Sequence, residues 1–110
     1  MIDQTIKEIE DRIRQSQSIP DPKRDELLEL FGTLRSEIAE MGEDHGETAQ
    51  SIAGHSERST SEATSEAPDR DQLHQSLKSL EDSVTGFEES HPKLVSAVNR
   101  ICVTLSNLGI

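Results

Sequence analysis

The chain contains no tryptophan or tyrosine, and only two phenylalanines and one cysteine in 110 residues. Its 11 Lys and Arg stand against 22 Asp and Glu, a formal net charge of -11 at pH 7. Each shortage excludes something. Holding a phosphate backbone needs clustered cations, and holding single strands needs aromatic stacking platforms. A chain poor in both is expected to bind no nucleic acid. The same sign of charge disfavours an anionic membrane surface, and no apolar run approaches the roughly 18 residues that a membrane-spanning helix needs. Met1-Ile2-Asp3 opens no secretory signal, so a cytoplasmic protein is expected. Cys102, alone, closes no internal disulfide, which agrees with a reducing compartment, and it is expected as a small buried apolar side chain.

Catalytic signatures are also missing. There is no Gly-rich phosphate loop and no Gly-x-Ser-x-Gly turn, and Cys102 has no neighbour in sequence that would lower its pKa. At 110 residues the chain is one domain at most, shorter than the pocketed multi-layer enzyme folds require. No enzyme, no catalytic residue and no cofactor is expected.

What is present is helical spacing. Ile2, Ile6, Ile9 and Ile13 recur at steps of four, three and four, one stripe on a helix but both faces on a strand. A first helix is expected from Asp3, its N-cap, to Gln17, halted by Pro20. Asp21-Pro22 reads as an Asp cap before a proline at the first helical position. Leu27, Phe31, Leu34, Ile38 and Met41 then form a second seam that ends at Gly42. Leu73, Leu77, Leu80, Val84 and Phe87 form a third, and Leu94, Val98, Ile101, Leu105 and Leu108 a fourth after Pro92. Gly109 is expected as the left-handed C-cap of the last helix, with Ile110 folding back on its final turn.

Between these pairs lies a different composition. Leu, Ile, Val and Phe total 25, yet residues 42–69 hold one of them, Ile52, and carry -6 of the net charge. The expected organisation is an N-terminal helical hairpin (1–41), an acidic Ser/Thr-rich flexible linker (42–69) and a C-terminal helical hairpin (70–110). A segment with so little to bury remains mostly disordered by itself, with at most a transient helix from Glu47 to Arg58 around Ile52. The fold class is all-α: two antiparallel helical hairpins forming a four-helix bundle or coiled-coil-like assembly, within one chain or by dimerisation. The stripes are too wide for a lone hairpin, since each helix must meet more than one neighbour.

Four histidines are candidates for chemistry. Glu88-x-x-His91 and Asp71-x-x-His74 have the carboxylate-x-x-His spacing that di-metal bundles use to aim ligands into the core. Asp71 and His74 fall off the Leu73-Leu77 seam, however, and His91 precedes a proline and cannot be regularly helical. His91 is expected as a turn residue that, with Ser90, caps the fourth helix. His45 and His55 sit among acids in 42–69, where a chelate would have to order its own ligands on binding. No metal site is expected from any of the four.

The run Phe87-Glu88-Glu89-Ser90-His91-Pro92-Lys93-Leu94, the seam up to Leu105 and the ending Asn107-Leu108-Gly109-Ile110 resemble the closing half of a family of short bacterial proteins known as domain of unknown function 4404. Leu27-Leu28-Glu29-Leu30 after the proline turn is compatible with the first half of that family and less specific. The resemblance covers two blocks, with the Ser/Thr/Glu-rich segment between them as a departure. It implies a small all-helical protein with no assigned activity, so it transfers no site residues. The function expected is that of a non-enzymatic interaction, structural or adaptor module, with a protein partner or self-association as a homodimer. Two alternatives stay open: a metal-binding bundle that uses His74, His91 and nearby acids, and an acidic inhibitor of a nucleic-acid-binding protein.

Overall fold

The four apolar stripes form helices, and a fifth helix lies between them. A computed structural model describes residues 2–108, and among these it contains five α-helices and no strand. They are α1 (Ile2–Gln15), α2 (Asp21–Met41), α3 (Gly46–Ala63), α4 (Arg70–Ser83) and α5 (Pro92–Leu108), with one 3-10 turn at Glu43–His45. Among the described residues no helix is long and apolar enough to cross a membrane. The cap expected from Gly109 and Ile110 lies outside the described residues.

Local chemistry sets most helix ends. Pro20 precedes α2 with an extended backbone and Pro22 lies in the first turn, where a missing N–H costs little. Asp21 is thus the first helical residue and not a cap; its carboxylate instead takes the Arg24 guanidinium. Arg24 Nη2 also donates to the carbonyls of Ser16 (2.8 Å) and Ile19 (3.0 Å), so one cation ties down the α1–α2 turn. Gly42 ends α2 at φ 76°, in the left-handed region that favours glycine. Asp69 caps α4 through its side chain, accepting from the N–H groups of Asp71 (2.9 Å) and Gln72 (3.2 Å). The third seam was expected to remain helical to Phe87. Instead α4 stops at Ser83, and Gly86 turns the chain at φ 96°.

The larger departure is α3. Residues 42–69 read as a flexible linker, whereas 46–63 form an 18-residue helix buried along one face. Its buried residues are Ala49, Ile52, Ala53, Ser56, Ser59, Thr60 and Ala63. They keep helical spacing but carry little apolar bulk, so a count of large hydrophobic residues overlooks them. These small side chains pack against α4 and α1, and tertiary packing of that kind stabilises a helix that propensity and apolar bulk alone do not.

The helices form a ring in the order α1, α2, α5, α4, α3, closed by α3 on α1, with α3 also touching α5. The two largest interfaces are α3 on α4 and α2 on α5, each larger than α1 on α2 or α4 on α5. Pairing therefore runs mainly across the predicted hairpins. The radius of gyration is 12.9 Å, against about 13 Å for a single compact domain of this length, so the five helices make one body with no extended tether. One core joins all five helices, from Ile6, Ile9 and Ile13 through Phe31 and Ile52 to Leu80 and Ile101. It is not wholly apolar. Glu10 of α1 is buried, and its carboxylate meets Arg35 of α2 at 3.1 Å. Helix 1 therefore does bury a carboxylate, one that the isoleucine stripe did not indicate.

Candidate functional site

Cys102 lies on the inner face of α5, 3% exposed, with its Sγ 3.7 Å from the carbonyl of Leu77 on α4. Burial, with a smaller contribution from the negative charge of Glu81, raises the thiol from its ordinary 9.0 to about 12. The thiolate is the nucleophile in cysteine chemistry, so at neutral pH this side chain is a packing group.

The histidines are redistributed relative to their sequence pairs. Glu88 sits in the turn after α4, where its Oε2 accepts from the N–H of Gly86 at 2.9 Å. It shares no helix face with His91. His74 and Asp71 are both exposed on α4. His45 and His55 are separated as well: His45 ends the 3-10 turn, whereas His55 lies on α3 beside a cleft lined by Glu47, Ser51, Ser79 and Asp82. The Nδ1 atom of His55 is buried without a hydrogen-bond partner.

The fold brings together a pair that no local spacing announced. His45 and His91 meet on Phe87, with ring centroids 5.3 Å (His45–Phe87), 5.6 Å (Phe87–His91) and 6.0 Å (His45–His91) apart. His45 stands edge-on to both of the other rings. The Nδ1 atom of His91 lies 3.0 Å from the Ser90 hydroxyl, and the His91 carbonyl accepts the N–H of Val95 at the start of α5. His91 is thus the turn residue that leads into α5. The three rings fasten the α2–α3 connection to the α4–α5 connection. Among the described residues no three His, Cys, Asp or Glu side chains are grouped to hold a metal ion.

The remaining surface is polar and shallow. A cleft of about 730 Å³ lies beside the C-terminal ends of α1 and α3 and is lined by Glu8, Asp11, Arg12, Gln15, Thr64 and Ser65. A more apolar cleft runs between α4 and α5, where Leu77, Cys102 and Val103 lie among His74, Lys78 and Glu81. Val103 is 62% exposed and is the one large hydrophobic side chain so exposed among the described residues. Around it α5 has few charges: Lys93 and Arg100 are its only charged side chains, in a chain that is 30% charged. Asn99, Val103 and Asn107, all exposed and four residues apart, form an uncharged strip along the helix.

No curated protein and no solved structure matches the chain. A family model does match, over residues 47–110, as one continuous span. The match takes in residues 47–69 of the Ser/Thr/Glu-rich segment, which is therefore no departure from the family, and it leaves α1, α2 and the 3-10 turn outside. It covers 64 of the 110 residues, from the first turn of α3 onward. The chain belongs to the family described as Domain of unknown function (DUF4404).

Proposed function

We propose that this protein is a small helical interaction module that acts by contact with another protein and catalyses no reaction of its own. The observation behind this reading is the outer strip of α5. On a chain dense with charge, an uncharged strip bearing the one well-exposed large hydrophobic side chain among the described residues is where desolvation on contact costs least. The same strip serves a partner or a second copy, and a homodimer in the cytoplasm is the self-association form of the reading.

Placing a photo-crosslinking residue at position 103, with a control at exposed Gln17, tests it. The reading expects a discrete adduct from position 103 in cells, either with one partner or with a second copy. Equal, diffuse labelling from both positions would overturn it.

A second reading has its own observation. The seven acids of 43–69, Glu43, Asp44, Glu47, Glu57, Glu62, Glu66 and Asp69, stand on or beside a packed helix and not on a loose tether. A fixed acidic surface suits a basic partner, such as a nucleic-acid-binding protein. Binding of that kind collapses as salt is raised, whereas contact through the α5 strip depends on salt only modestly.

A further inference from the structure

Helix α3 occupies a central place in the bundle while its sequence holds it there weakly. Ser56, Ser59 and Thr60 are each 0% exposed, and their hydroxyls have no hydrogen-bond partner. A buried hydroxyl that forfeits water and gains no partner disfavours the packed state. The only large apolar side chain on the buried face of α3 is Ile52. The helix also carries Gly54 in its middle, at a site where a Cβ would meet nothing within 4 Å, and glycine there disfavours the helix. His45 precedes α3 and gives it no side-chain cap.

The rest of the bundle does not need α3 to remain connected. With α3 removed from the ring, α1 still packs on α2, α2 on α5 through one of the two largest interfaces, and α5 on α4. Those four helices carry the four apolar seams. What α3 packs against is α1, whose buried residues include Ile6, Ile9 and Ile13, and α4, whose buried residues include Leu73, Leu77 and Leu80.

We infer that α3 is a releasable helix: it unpacks as a unit, with α1, α2, α4 and α5 still assembled, and its three orphaned hydroxyls set how often it does so. Release opens the apolar stripes of α1 and α4. Nothing in this inference depends on the α5 strip. Small units that open below the global unfolding free energy are the usual source of such local motion.

Amide hydrogen exchange on the full chain, read by mass spectrometry of fragments in the regime where opening is at equilibrium, tests the inference. The expected result is that amides of 50–63 exchange at least tenfold faster than those of α2 and α5. Thr60→Val keeps the side-chain shape and removes one orphaned hydroxyl; it should slow exchange in α3 by about tenfold and leave α2 and α5 unchanged. Ser56→Ala combined with Ser59→Ala should slow it further. Exchange of α3 at the same rate as α2 and α5 would overturn the inference, as would a Thr60→Val chain whose α3 exchange is unaltered or whose five helices all slow together.

Discussion

Helices α3 and α5 are nearly the same length, 18 and 17 residues, and each buries seven side chains. The seven of α5 include Leu94, Val98, Ile101 and Leu105; the seven of α3 include Ile52 and otherwise only Ala, Ser and Thr. The number of buried positions is therefore the same, while the apolar area withdrawn from water is not. Each fully buried Leu, Ile or Val contributes about 1.5–3 kcal/mol, and an unpartnered buried hydroxyl costs about 1–3 kcal/mol. Equal burial in this fold conceals unequal hold, although α3 and α5 each pack on three other helices.

The sharpest way to break this comparison is a charge in the α5 seam. Ile101 is fully buried, and Ile101→Asp should abolish the cooperative melt, since an unpaired buried carboxylate costs several kcal/mol. An unchanged helical circular-dichroism spectrum and melting curve would mean that α5 is not the core element described. Next is Ile52→Ala, which removes the only bulky anchor of α3 and should lower stability by about 2–5 kcal/mol in denaturant titration. If the loss is under 1 kcal/mol by the same measurement, where about 2 is the least expected, α3 contributes little to the core.

Smaller changes sharpen the contrast. Gly54→Ala places a methyl in open space on a helix and should raise the denaturation midpoint by the equivalent of about 1 kcal/mol. Cys102 gives a pH test on the α5 side. Its thiol titrates near 9.0 when unfolded and at about 12 when folded. Between these values the unfolded chain releases a proton that the folded chain retains, so stability is whole below about pH 9 and falls as pH rises toward 12. Cys102→Ala should flatten that alkaline decline in the midpoint, even though it costs some stability at pH 7 from lost packing. Smallest of all, Val103→Ser on the exposed strip should leave the melting midpoint within the equivalent of about 0.5 kcal/mol, so that a loss of crosslinked partner in this variant would report binding and not folding.

How much was legible follows from the same physics. The stripes of α1, α2, α4 and α5 are written in large apolar residues at helical spacing, and a proline or glycine marks most of their ends, so all four were found with small errors at the boundaries. α4 was read too far, to Phe87, because Val84 and Phe87 continue the period while the backbone has already turned at Gly86. The sequence offers α3 only as a transient helix around Ile52, because a helix face of Ala, Ser and Thr has no hydropathy signal. Its period, from Ala49 through Ile52, Ala53, Ser56, Ser59 and Thr60 to Ala63, becomes visible when small residues are scored beside apolar ones. Glu10–Arg35 and His45–Phe87–His91 join segments 25 and 46 residues apart, and no local spacing encodes such pairs.

The sequence by itself therefore determined the helical class, four of the five helices and the proline-marked turns, because these depend on side chains within one or two turns of each other. The tertiary structure decided that residues 46–63 are a helix and not a tether, that α2 pairs with α5 and α3 with α4, and which histidines meet. Each of those depends on packing between segments far apart in the chain, and for α3 that packing uses small side chains whose period carries no hydropathy signal.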